Sequence, residues 1–280
     1  MPLPFDISPG FLGLPWQYLA LSLALCLVLS SLGFRRVVYF VSLGYAASIA
    51  AQAIVLPLLY RSSLRDWVLV QSALLLAHGL RLGIFVALRE RTASYRKEQA
   101  ENAAHGATVR GLSKAAIWVG VSILYVFMFL PALLTMSAQA AGESLRLVPF
   151  GVALMVVGLG FEACADWQKS RFKKKSPSHF CDTGLFRIVR FPNYFGEMLF
   201  WFGVWLSAVS AYRSVLAWSV GSVGFVCIEL VMLGSSRRLE LKQTARYGAN
   251  AAYQAYARCT PILFPMLPLY SLQNLKVRLE

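Results

Sequence analysis

The sequence predicts an all-α integral membrane protein, a bundle of about seven transmembrane helices with its N-terminus outside and its C-terminus in the cytoplasm. Three observations carry this. The 280 residues are 58% hydrophobic and only 14% charged, with a mean hydropathy of +0.58, which does not fit a soluble globule. Charges gather between apolar runs of about 18 to 24 residues, the length a helix needs to cross ~30 Å of hydrocarbon. Lys and Arg are also lopsided. With seven spans, 22 of the 27 fall in the loop after the first span, in 89–114, in 169–190 and in the C-terminal tail, and the opposite side holds only Arg61, Arg65, Arg146 and Arg213. By the positive-inside rule the richer side is cytoplasmic.

The expected spans are 16–34, 37–60, 66–88, 115–137, 146–165, 194–212 and 214–234. Backbone polar groups inside lipid must bond within their own segment, and none of these runs alternates as a barrel strand does, so each is read as a helix. The first run is read as a retained span because acidic Asp6 precedes it, with no basic n-region and no small-residue cleavage site. The segment 89–114, rich in Arg, Lys, Glu and Ala, reads as a cytoplasmic linker.

The net charge of +14 is explained by attraction to anionic lipid headgroups. No basic domain stands clear of the membrane, so nucleic acid is not an expected partner. Cys26, Cys164, Cys181, Cys227 and Cys259 form no CxxC pair and no His/Cys ligand spacing, so neither a disulfide framework nor a metal is expected.

The chain divides by texture at about residue 145. Residues 1–145 hold four largely aliphatic spans, and 146–280 hold three spans, a tail and most of the chemically versatile side chains. On one helix continuing out of the fifth span, Glu162, Asp166, Lys169 and Lys173 recur at i, i+4, i+7 and i+11 and share a face. Such a face either snorkels or lines a cleft for a ligand with hydroxyls, an amide and phosphates. Ser176-Pro177 ends that helix, and Thr183-Gly184-Leu185-Phe186 forms a turn before Arg187 and Arg190. This basic stretch suits phosphate or a lipid headgroup equally. Pro192 opens the next helix and puts Asn193 and Glu197 one turn apart on one face. A carboxylate at the mouth of a span is costly unless paired, which marks Glu197 as functional or ion-paired. Glu229 is expected to pair within the bundle.

Three stretches resemble the C-terminal domain of the steroid 5α-reductase superfamily, in the pattern of its bacterial membrane branch: Ala165-Asp166-Trp167-Gln168-Lys169-Ser170-Arg171-Phe172-Lys173, Gly184-Leu185-Phe186, and Arg190-Phe191-Pro192-Asn193-Tyr194-Phe195-Gly196-Glu197. Tyr256-Ala257-Arg258 leading into Thr260-Pro261 extends the likeness, which covers about 150–265. The resemblance implies a seven-span enzyme that binds NADPH from the cytoplasm and reduces an activated carbon–carbon double bond of a steroid (3-oxo-Δ4) or similar lipid. It implies cofactor contacts for Asp166, Asn193, Tyr194, Glu197, Glu240 and Arg258. Glu162 stands where the reductases carry an amide. Lys169, Lys173, Arg190 and Arg238 are the expected phosphate contacts, by charge as well as alignment. Relatives read Arg-His-Pro-Asn-Tyr, whereas position 191 here is Phe.

In the N-terminal half the reductases place a Gln-Glu pair and a tyrosine over the steroid carbonyl. Here the second span offers Gln52 followed by Ala53, and His78 falls at the tyrosine position. Enone reduction needs a donor to the carbonyl oxygen, a role open to the His78 imidazole, with Gln52 as a second donor. The structural alternatives are a buried polar network around His78 and a helix-to-helix bond from Gln52. Two other functions stand beside the reductase. One is an S-adenosylmethionine-dependent methyltransferase of the isoprenylcysteine carboxyl type, which has less use for several cations. The other is a non-enzymatic lipid-binding or transport protein, for which polar residues would spread through the span midplanes. The expected setting is a bacterial inner membrane, with lipids as neighbours and a hydrophobic substrate.

Overall fold

The computed structural model describes residues 14–91 and 111–275; Asp6 and most of the 89–114 linker lie outside them. Among the described residues the regular structure is helical and no strand occurs. The α-helices are α1 (Trp16–Ser30), α2 (Leu43–Leu59), α3 (Asp66–Glu90), α4 (Gly111–Ala140), α5 (Val148–Lys175), α6 (Leu185–Ile188), α7 (Pro192–Ser207), α8 (Val215–Tyr247) and α9 (Ala251–Cys259). Among the described residues six stretches are long and apolar enough to cross a membrane: Trp16–Phe34, Val37–Leu59, Asp66–Glu90, Gly111–Ala140, Val148–Lys175 and Val215–Tyr247. The expected run at 194–212 differs. It folds as the 16-residue α7 followed by a 3-10 turn at Val209–Ala211. Sixteen residues reach about 24 Å, less than the ~30 Å of a hydrocarbon core.

The chain falls into two compact units, the first Met1–Val152 with Val204–Phe225 and the second Ala153–Gly203 with Val226–Glu280. In the first unit α2 and α3 approach so closely that a Cβ on Gly79 would lie 2.9 Å from the Ala46 carbonyl oxygen and from the Ala50 amide nitrogen. Small residues at such crossings supply the close packing that lipid, being as apolar as leucine, does not drive. Polar side chains add ties between helices, each worth about 0.6 kcal/mol in this setting. Thr135 Oγ1 donates to Gln71 Oε1 at 2.7 Å, and Tyr125 OH donates to the Phe40 carbonyl at 2.6 Å. At one loop the Arg65 amide donates to Gln139 Oε1 at 2.9 Å. In 204–225, Trp205 packs on Trp218 and Phe225 and donates to Ser222 Oγ at 3.1 Å.

In the second unit α5 and α7 cross at a glycine pair. A Cβ on Gly158 would meet the Gly196 carbonyl oxygen at 2.6 Å, and one on Gly196 would meet the Gly158 oxygen at 2.6 Å. Helix α5 stops at Lys175, where Ser176-Pro177 follows. Pro192 occupies the first turn of α7, where its missing N–H has no intrahelical partner to lose. The chain just before α7 is tied to the segment after α9: Arg190 N donates to the Pro261 carbonyl at 2.8 Å and Phe191 N to that of Ile262 at 3.1 Å. Around these bonds Phe191, Met198, Ile262, Leu263 and Leu272 form a buried apolar cluster that Tyr194, Met232 and Leu239 flank.

Candidate functional site

The polar face expected on α5 forms, because one unbroken helix carries Glu162, Asp166, Lys169 and Lys173. Glu162 is buried, while Asp166 and Lys169 below it are half-buried. The glycine crossing brings α7 against the Glu162 turn, where a Cβ on Gly196 would come within 2.9 Å of Glu162 Cγ. Glu197, the residue after that glycine, is also buried, and one of its carboxylate oxygens lies within 4.8 Å of one of Glu162. Trp201, one turn on, donates from Nε1 to Glu197 Oε1 at 3.0 Å and fixes that carboxylate. One turn before Glu197, Asn193 holds its side-chain oxygen buried without a hydrogen-bond partner among the described residues. Three oxygen-bearing side chains that sequence assigned to one ligand therefore sit on two helices whose spacing two glycines set. Glu229 of α8 keeps Oε1 buried with no hydrogen-bond partner among the described residues.

Other residues have different work from that expected. Arg190 is buried, and its Nη2 pairs with Glu240 Oε1 at 2.8 Å and donates to the Tyr270 carbonyl at 2.6 Å. The other Glu240 oxygen accepts from Leu272 N at 2.8 Å. Arg190 and Glu240 are thus internal clamps on the C-terminal segment, and a guanidinium enclosed in this way is not presented to a phosphate. Lys173 donates to Tyr247 OH at 2.9 Å and to the carbonyls of Pro177 and His179, so it closes the turn after α5. Arg238 and Arg258 are exposed, with no ion pair among the described residues. Tyr194 packs beside the apolar cluster, its ring 6.0 Å from that of Phe191. Phe191 itself is 1% exposed within that cluster, so position 191 faces core in this chain and a phenyl ring suits it better than an imidazole.

His78 and Gln52 both belong to the first unit and are fully buried. His78 Nε2 lies 3.2 Å from Tyr45 OH, and the Tyr45 ring packs on Tyr125. Gln52 accepts from Ser22 Oγ at 2.9 Å and donates to the Ser48 carbonyl at 3.2 Å. Its amide is therefore occupied between α1 and α2, as the structural alternative requires.

A cleft of about 490 Å³ lies within the second unit, lined by Asp182, Thr183, Gly184, Arg187, Tyr256 and Thr260. Its walls are fixed by side chain to backbone bonds: Tyr256 OH donates to the Phe186 carbonyl at 2.6 Å, and Leu185 N donates to Gln168 Oε1 at 2.9 Å. Gly184 turns with φ 61, a conformation in which a side chain would collide with Gln168. Burial pushes the Tyr256 phenol up, with Arg190 opposing, so it stays protonated and donating. The tail thus folds back over the 169–190 loop and closes a pocket with it, the arrangement open to an amphipathic tail that carries Tyr256 and Thr260.

A family model described as a protein of unknown function, DUF1295, matches residues 27–260, and the chain belongs to that family. No curated protein and no solved structure matches it.

Proposed function

We propose that this member of the DUF1295 family is a membrane reductase that uses NADPH to reduce an activated carbon–carbon double bond of a steroid or similar lipid. One observation carries the reading: the buried carboxylates Glu162 and Glu197, within 4.8 Å of each other, accompanied by the unsatisfied side-chain oxygen of Asn193. A buried acceptor without a hydrogen-bond partner, as Asn193 Oδ1 is among the described residues, costs about 1–3 kcal/mol. A ligand that offers a carboxamide N–H and ribose hydroxyls relieves that cost, and nicotinamide riboside has both. The residues present therefore fit the cofactor, and the motif resemblance to the steroid 5α-reductase superfamily supplies its identity. A bound NADPH contributes hydride chemistry.

In this reading Asn193 orients the carboxamide, Glu162 and Glu197 hold hydroxyls, and Trp201 keeps Glu197 in position. His78 is the favoured proton donor, because Tyr45 OH lies 3.2 Å from Nε2 and can hand on a proton, whereas the Gln52 amide is already bonded on both sides. The seven-span topology, in which the short α7 together with the 3-10 turn after it makes one crossing, with the basic loops and the cofactor entrance on the cytoplasmic face, belongs to the same reading and rests on the Lys and Arg distribution.

The test is titration of the purified chain in detergent with NADPH, NADH and S-adenosylmethionine, following thermal stability. NADPH is expected to stabilise the wild type and to lose that effect in Asn193→Ala and Glu197→Ala. Stabilisation by the methyl donor alone would replace the reductase with a methyltransferase. Once binding is established, oxidation of NADPH over a panel of 3-oxo-Δ4 steroids and unsaturated lipids reports the substrate, and unchanged turnover in His78→Phe would remove the donor assignment.

A further inference from the structure

The cleft at residues 182–187 and 256–260 takes no part in the carboxylate site on α5 and α7. We infer that it seats a phosphate monoester carried on a hydroxylated ring, with Arg187 as its anchor. Taken with the cofactor reading above, on which this step rests, that group is the ribose 2′-phosphate, and Arg187 makes the chain choose NADPH over NADH.

The cations decide the first part. Of the residues expected to meet phosphate, Arg190 is enclosed by Glu240 and the Tyr270 carbonyl, Lys173 is bonded to Tyr247 and two backbone carbonyls, and Lys169 and Arg238 do not line the cleft. Arg187, three residues before Arg190, is exposed, lines the cleft and has no hydrogen bond or ion pair among the described residues. Its planar fork is available for the bidentate contact that a phosphate monoester accepts.

The rest of the lining narrows the ligand. The Thr260 hydroxyl can donate to a phosphate oxygen, whereas Asp182 can only accept. A bare anion would meet repulsion from Asp182. A ligand with an anionic group for Arg187 and hydroxyl or amino donors for Asp182 satisfies both, which describes a phosphorylated ribose. The cleft is also pre-shaped, since the Tyr256 to Phe186 and Leu185 to Gln168 bonds hold its two walls. Its volume of about 490 Å³ falls in the range of roughly 300–1,000 Å³ usual for small-molecule sites.

The experiment measures dissociation constants of the full chain in neutral detergent for NADPH, NADH, 2′-AMP and 5′-AMP, in the wild type and in Arg187→Ala. The exposed position of Arg187 leaves the fold intact in the variant. The wild type is expected to prefer NADPH to NADH and 2′-AMP to 5′-AMP. Arg187→Ala should weaken NADPH and 2′-AMP roughly 10- to 100-fold, the value of a charge-assisted hydrogen bond, with NADH unchanged. An unchanged NADPH constant, or equal losses for NADPH and NADH, would overturn the assignment while leaving the reductase reading standing. Arg187-dependent binding of 2′-AMP by a chain that binds neither dinucleotide would keep the phosphate seat and sink the cofactor reading. Phosphatidylglycerol added to the micelles distinguishes a headgroup: if it alone stabilises the chain through Arg187, the ribose phosphate assignment fails.

Discussion

Replacing Glu240 with alanine should loosen the C-terminal segment far more than an ordinary helix substitution does. The Arg190 and Glu240 side chains are 1% and 3% exposed, and the pair also binds Tyr270 and Leu272. Removing the carboxylate strands a buried guanidinium, a loss of about 3–5 kcal/mol, and the orphaned Leu272 amide moves the value toward the upper end. Since every 1.4 kcal/mol is tenfold, local opening of residues 262–275 should become at least 100-fold more frequent. Hydrogen exchange of peptides covering 262–275, measured in detergent, reads that change directly, with peptides from α2 and α3 as the internal reference. A second variant, Arg190→Met with Glu240→Leu, removes both charges and fills the space with apolar atoms, and should recover most of the lost protection. Exchange of 262–275 within threefold of wild type in Glu240→Ala would refute the clamp. So would a double variant as labile as the single one.

Gly196→Ala should cost about 1–3 kcal/mol and weaken NADPH binding together with stability, because the added Cβ meets the Gly158 oxygen at 2.6 Å and α5 must move off α7; thermal denaturation with and without cofactor measures both. Phe191→His, which restores the residue usual in the resembling motif, should destabilise by about 1–3 kcal/mol without improving cofactor affinity, because position 191 is in apolar core; a tighter NADPH constant would contradict that placement. Cys181 is half-buried and burial raises its thiol pKa, with bonds from Thr183 opposing, so near pH 8 iodoacetamide should label exposed Cys259 several-fold faster, as mass spectrometry of the alkylated chain can resolve. The same raised pKa makes Cys181 stabilising below the unfolded thiol value of about 8.5 and progressively less so as pH climbs through its folded value; Cys181→Ser should flatten that alkaline loss in a denaturation series.

What sequence made legible was whatever depends on local period and solvent. Six of the seven expected runs reappear as long apolar helices because hydrocarbon thickness fixes their length. The face shared by Glu162 and Asp166, the stop after Lys175 and the start at Pro192 follow from helical spacing and proline chemistry within one segment. The failures concern partners distant along the chain. Arg190 looks like a phosphate ligand until Glu240 and Tyr270, 50 and 80 residues away, fold onto it. Lys173 is diverted by Tyr247 in the same way. That the tail returns over the 169–190 loop was open to the sequence, but which side chains meet there, Arg187 with Thr260, is set by the packing of the last segment. Gln52 was readable in both its roles, and only the position of Ser22 separates them.

The stitching of Arg190 and Phe191 to Pro261 and Ile262 also orders events during synthesis. A ribosome makes Arg190 about seventy residues before it reaches Pro261 and Ile262, the partners that close over this end, and during that interval the Arg190 guanidinium stays in water or among headgroups. Sealing of this end is therefore among the last steps of biogenesis. A chain halted after α8 would have its spans inserted and Glu240 made, yet would still lack the carbonyls and the apolar lid that enclose the pair. Such an intermediate leaves Phe191 and Met198 without Ile262, Leu263 and Leu272 to cover them, so the apolar core at this end exists only once the tail is made.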